Sequence, residues 1–255
     1  MIRKCNLLFI FLFISLFFFG CDTPELINAS NGSIPIQGES SYVDGNYLVH
    51  SAYYDTAGYG QILSLHVTNG LITSVQFVEQ NASGDKKQSF DQANITNSDK
   101  TEYLQFINSL TTALIQNQSS ESLTRITNDN FSIESYITMV DKALVACQSG
   151  DQTPLICDLN QSYTATLTST DPPYLTGNIK ITYKDGDLVD VTGKIENTLT
   201  SSDSNEALHA LFFESTMQNK NLNPLSGTDL ESSDLILYNQ LLNLISEQRK
   251  VFTPQ

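Results

Sequence analysis

Apolar residues fall on alternate positions at Leu63, Leu65 and Val67, stop at Asn69-Gly70, and resume at Ile72 and from Val75 to Val78. Period two on both sides of a dipeptide that accepts positive φ predicts a β-hairpin. Further along, the spacing lengthens to three and four at Tyr103, Phe106, Leu110 and Leu114, and again at Tyr136, Val140, Ala143, Leu144 and Cys147. That spacing predicts two amphipathic helices after the hairpin.

The same succession returns at a constant offset of 116 residues, with Tyr47 on Tyr163, Asp55 on Asp171, Leu63 on Ile179, Leu65 on Ile181, Gly70 on Gly186, Ile72 on Leu188 and Val75 on Val191. The turn Asn69-Gly70 becomes Asp185-Gly186, another strong hairpin dipeptide. Helical spacing follows again, at Ala207, Leu208, Leu211 and Phe212 and then at Leu235, Leu237, Tyr238, Leu241, Leu242 and Ile245. These patterns predict an α+β fold of two tandem repeats, each an antiparallel β-hairpin or sheet with helices packed on one face. Residues 42–147 form the first predicted domain and 161–250 the second, and 148–160, with Gly150 and Pro154, is the expected linker.

Ahead of the body, Arg3 and Lys4 lead into an apolar run from Leu7 to Phe19 that ends in Phe18-Phe19-Gly20-Cys21. Residues 1–20 resemble a bacterial lipoprotein signal peptide, with Phe18 where Leu is usual. The resemblance implies cleavage before Cys21, lipidation of that cysteine and a location in the cell envelope, facing outside the cytoplasm. The competing reading is an uncleaved membrane anchor, for which this run is short against the roughly 20 residues a span needs. Residues 21–41, rich in Asn, Ser, Gly and Pro, read as a flexible tether.

Without the leader the chain keeps 11 of its 13 basic residues against 28 acidic ones, a formal charge of −17. Such a surface repels nucleic acid and anionic head groups, which disfavours both as partners. His50, His66 and His209 are scattered and there is no Cys-x-x-Cys, so no metal site is expected. Of four cysteines only Cys147 and Cys157 fall in the body, either as a disulfide or as two free thiols. No Ser/His/Asp or paired-carboxylate arrangement stands out, so a hydrolase has little support and no turnover enzyme is predicted.

Asp44-Gly45-x-Tyr47, Ala52-Tyr53-Tyr54-Asp55, Gly58-Tyr59 and the turn before Ile72-Thr73-Ser74-Val75 resemble the FMN-binding domain of bacterial envelope lipoproteins, including the group labelled major membrane immunogens. The second copy resembles it from Tyr163 to about Gln248. The family has Gly-Trp where this chain has Gly58-Tyr59. Its chemical signature is a loop Asp-x-x-Ser/Thr-Gly-Ala-Thr/Ser-x-Ser/Thr before the last helix, whose Thr carries FMN through a phosphoester. Glycine there lets the backbone approach a phosphate, and amide groups at a helix start bind it.

In the first copy Thr127 and Ser132 match that loop, but Asn128 replaces Gly, Asp129 replaces Ala and Asn130 stands at the acceptor. Asn130 has no hydroxyl to esterify, and Ser132 also suits an N-cap. The second copy keeps Ser226-Gly227, with Thr228 one position before the acceptor site and Asp229 upon it. A one-residue slip makes Thr228 the acceptor, and Ser232 is then two positions out of step. Ser-Gly-Thr-Asp is also an ordinary turn into a helix. The resemblance thus implies FMN held noncovalently or, at Thr228, covalently, with Tyr53, Tyr54 and Tyr59 as candidate stacking rings whose ordinary use is packing. Two functions follow: a membrane-anchored flavin-dependent electron carrier with redox partner proteins, or a cofactor-less surface binding or assembly module on the same scaffold.

Overall fold

Asn69 and Gly70 both take positive φ, 54° and 75°, the two-residue turn whose twist matches that of the strands it joins. It connects β2 (Tyr59–Thr68) to β3 (Leu71–Asn81), and β1 (Gly45–Ser51) pairs antiparallel with β2 on the other side. These come from a computed structural model, which describes residues 42–90, 96–128, 133–170, 173–197, 206–226 and 233–255. Tyr47, Val49, Leu63, Leu65, Val67, Ile72 and Phe77 turn to one face of the sheet and are buried there. Helices α1 (Asn97–Asn117) and α2 (Ile133–Ser149) supply the facing side chains, among them Tyr103, Phe106, Leu110, Leu114, Tyr136, Met139 and Val140.

The ends of α1 are fixed by side chains. Thr96 Oγ1 accepts from Asp99 N (3.2 Å) and Thr96 N donates to Asp99 Oδ2 (2.8 Å), a reciprocal cap. At the other end Gln118 adopts φ 56°, unusual for a side chain with a Cβ. Its amide explains the choice: Oε1 accepts from Ile72 N (2.7 Å) and Nε2 donates to Ile72 O (3.0 Å), tying the helix end to the start of β3.

After α2 the stretch expected as a linker returns to the sheet as β4 (Leu155–Cys157), parallel to β1. The first sheet is therefore mixed, in the order β3-β2-β1-β4, rather than wholly antiparallel. The second sheet, β5 (Gln161–Thr168), β6 (Leu175–Lys184) and β7 (Asp187–Asn197), is antiparallel in the order β5-β6-β7. Helices α3 (Glu206–Asn219) and α4 (Ser233–Gln248) follow, and Phe212, Leu237, Tyr238, Leu241, Leu242 and Ile245 close a second core with Tyr163, Ile179, Ile181 and Ile195.

The strands β1, β2 and β3 and the strands β5, β6 and β7 begin at 45, 59 and 71 and at 161, 175 and 187, a uniform separation of 116. Register irregularities at His66/Val67 and Thr182/Tyr183 keep that separation. Asp185 (φ 51°) and Gly186 (φ 86°) repeat the first turn.

The two halves differ after their last helix. The chain beyond α4 crosses to the first half, where Tyr54 N donates to Lys250 O (3.0 Å) and Phe252 N to Ala52 O (2.9 Å). Gln255 N reaches Gln80 Oε1 (3.2 Å) and Gln255 Nε2 reaches Ala82 O (2.9 Å). Residues 37–255 form one compact unit. Among the described residues no helix is long and apolar enough to cross a membrane.

Candidate functional site

Ser51, Tyr59, Gln61 and Glu79 lie where the alternation of β1, β2 and β3 turns side chains inward, yet all four are polar. At the same strand positions the second half carries Leu167, Leu175, Gly177 and Ile195. An apolar set thus satisfies the fold at this end of a sheet, and the first half holds a polar one.

Glu79 is 2% exposed. Tyr103 OH, from α1, donates to its Oε2 (2.8 Å), and Lys87 Nζ lies 3.3 Å from its carboxylate. The segment after β3 that delivers Lys87 is itself held by Lys87 N donating to Glu79 O (2.8 Å). Burial pushes the Glu79 carboxyl above its usual range, and the opposing pull of Lys87 and Tyr103 does not cancel it.

Gln61 sits across the ladder from Glu79. Its backbone N donates to Ser51 Oγ (3.0 Å), while its side-chain Oε1 is buried without a hydrogen-bond partner. An orphaned buried acceptor costs about 1–3 kcal/mol. The Tyr59 ring lies 5.5 Å from Lys87 Nζ, and Asp55 Oδ1 anchors the loop before it by accepting from Ala57 N (2.9 Å) and Tyr59 N (2.8 Å). Tyr136, in the first turns of α2, packs edge-on against Phe77 at 5.1 Å, two positions before Glu79. The start of α2 therefore lies toward the polar end of the sheet.

Of the residues expected from sequence, Tyr59 belongs to this polar end. Tyr53 and Tyr54 are committed elsewhere. The Arg249 guanidinium lies between the rings of Tyr53 (3.5 Å) and Tyr183 (3.8 Å), and Tyr54 packs edge-on against Phe252 at 5.1 Å. Tyr54 O also accepts from Tyr163 OH (2.6 Å). Both rings therefore serve the joint between the halves, their packing use rather than a stacking one.

Thr127 is exposed, beyond a 3-10 turn at Glu121–Arg125. Ser226 is exposed too, next to a Leu225 whose backbone is clamped by Asn239: Leu225 N donates to Asn239 Oδ1 (2.8 Å) and Asn239 Nδ2 to Leu225 O (3.1 Å). Cys21, Asn130, Ser132, Gly227, Thr228 and Ser232 lie outside the described residues. Cys147 and Cys157 are buried free thiols, the second of the two alternatives, and burial pushes Cys147 up to about 12. At the start of α4, His209 Nε2 meets Asp234 Oδ2 at 3.1 Å in a buried pair.

Sequence reasoning missed Gln61, Glu79, Lys87 and Tyr103. The available signal was the 116-residue offset itself, which sets charged Glu79 against Ile195.

No protein-family model matches the chain, and no curated protein does. Among solved structures it is similar to the crystal structure of the CPE2226 protein from Clostridium perfringens. That match is 27% identical, covers 46% of this chain and 98% of that one, and has a TM-score of 0.39.

Proposed function

We propose that the chain is a membrane-anchored extracytoplasmic lipoprotein built from a duplicated FMN-binding-like unit, and that it holds a flavin noncovalently at the polar end of its first unit for electron transfer. The observation that carries this reading is Gln61 Oε1, a buried acceptor without a partner among polar side chains that the second half replaces with apolar ones. An isoalloxazine edge presents an N–H beside carbonyl groups, and the Gln61 carboxamide suits that edge. Tyr59 is the remaining candidate ring. Bound flavin would supply the redox chemistry, and the protein its position and electrostatics.

Duplication is supported by the uniform 116-residue separation of strands, turns and register irregularities. Anchoring rests on the Cys21 leader. A cofactor-less binding or assembly module is the second reading, favoured by the commitment of Tyr53 and Tyr54 to internal packing.

The test is the absorbance and intact mass of the mature protein produced with a flavin transferase, followed by titration with FMN. The expected result is an unmodified mass and saturable FMN binding that Gln61→Leu weakens on the order of tenfold, the worth of one hydrogen bond to a buried group. A mass increase of one FMN at Thr228 would move the cofactor to the second unit. A colourless protein that ignores added FMN would leave the binding module.

A further inference from the structure

In the first half, the outer edge of β1 is covered by β4, with Val49, His50 and Ser51 aligned to Leu155, Ile156 and Cys157, and Ala52 N donating to Cys157 O (2.8 Å). In the second half β5 occupies the corresponding edge, and no strand covers it among the described residues. The segment that would do so by its place after the last helix, Lys250–Phe252, is drawn away to Ala52 and Tyr54.

Ser169 N donates to Leu175 O, which sets the phase of the antiparallel ladder and turns the backbone groups of Thr164, Thr166 and Thr168 away from β6. Thr164 O is capped by Gln248 Nε2 (3.1 Å). Thr166 and Thr168 stand at the positions that His50 and Ala52 occupy in the first half. The strand sequence Gln161–Thr168 contains no charge and no proline, the usual guards of an exposed edge.

We propose that the β5 edge is a docking site for an extended, non-acidic segment of a partner protein, which adds to the sheet parallel to β5 as β4 adds to β1. Main-chain hydrogen bonds would supply affinity, and the fit of an alternate side chain against α4 would supply selectivity. The strongly acidic chain repels its own copies and any acidic segment, so charge favours a neutral or basic partner over a second copy.

Amide hydrogen exchange on the full mature chain tests this directly. The probe is a peptide with the sequence of residues 153–160 carrying Cys157→Ala and Asp158→Asn. Alone, the chain is expected to exchange Thr166 and Thr168 amides rapidly while Ala165 and Leu167 stay protected. Saturating peptide should slow Thr166 and Thr168 on the order of tenfold or more. Thr166→Pro, which removes an N–H that β6 does not use, should keep the fold and abolish the effect. Thr166 and Thr168 amides already protected in the chain alone would overturn the proposal, as would exchange indifferent to the peptide. Protection that rises with chain concentration, without peptide, would assign the edge to a second copy instead.

Discussion

Glu79 is a carboxylate on the inward face of a strand, where water cannot solvate its charge and a lysine and a tyrosine substitute for it in part. Because burial raises its pKa in the folded state, the protonated form binds its environment better than the ionised one. The stability it contributes is full below the ordinary carboxyl value of 4.5 and is lost as pH rises through the raised value. Glu79→Gln should therefore gain on the wild type in thermal melts as pH rises from about 4 to 7. A constant difference in melting temperature across that interval would remove the burial argument. Within the first half Glu79 is simply one polar residue in an alternating strand, and only Ile195, 116 residues on, marks it as a departure. The orphaned acceptor of Gln61 was not legible at all, because hydrogen-bond satisfaction depends on neighbours that the sequence does not specify.

At the level of elements, the long strands and helices were readable because their periods extend over ten or more residues and their turns carry Asn-Gly and Asp-Gly. β4 was not, since three residues between Pro154 and Asp158 are too few to display a period and their strand conformation is supplied by β1. The same holds for the C-terminal segment, whose conformation is set by the groove it fills. Gly60 opens that groove: a Cβ there would fall 2.2 Å from the Phe252 ring. Gly60→Val should displace Phe252, and Phe252→Ala should cost about 3–5 kcal/mol in chemical denaturation. Because both changes act on one contact, the double variant should lose clearly less than the sum of the two. Additive losses would mean that Gly60 and the ring are independent.

For the whole molecule, the stacking of Arg249 between Tyr53 and Tyr183, the Tyr163 to Tyr54 hydrogen bond and the crossing of residues 250–255 make each half part of the other's boundary. The described body is expected to melt in one transition by calorimetry. Arg249→Ala, at a cost of about 1–3 kcal/mol for two cation–ring contacts, combined with removal of residues 250–255 should separate the trace into two. A single transition in that variant would place the coupling elsewhere. The join was expected from sequence in residues 148–160, but those residues complete the first core through Cys157 and Leu159. The closing contacts come instead from Arg249 and the segment after α4. During synthesis the first half can assemble its own sheet and core early, while its seam with the second stays open until residues 249–255 have been made. A tag joined directly to Gln255 would therefore emerge beside Gln80 and Ala82, against the seam.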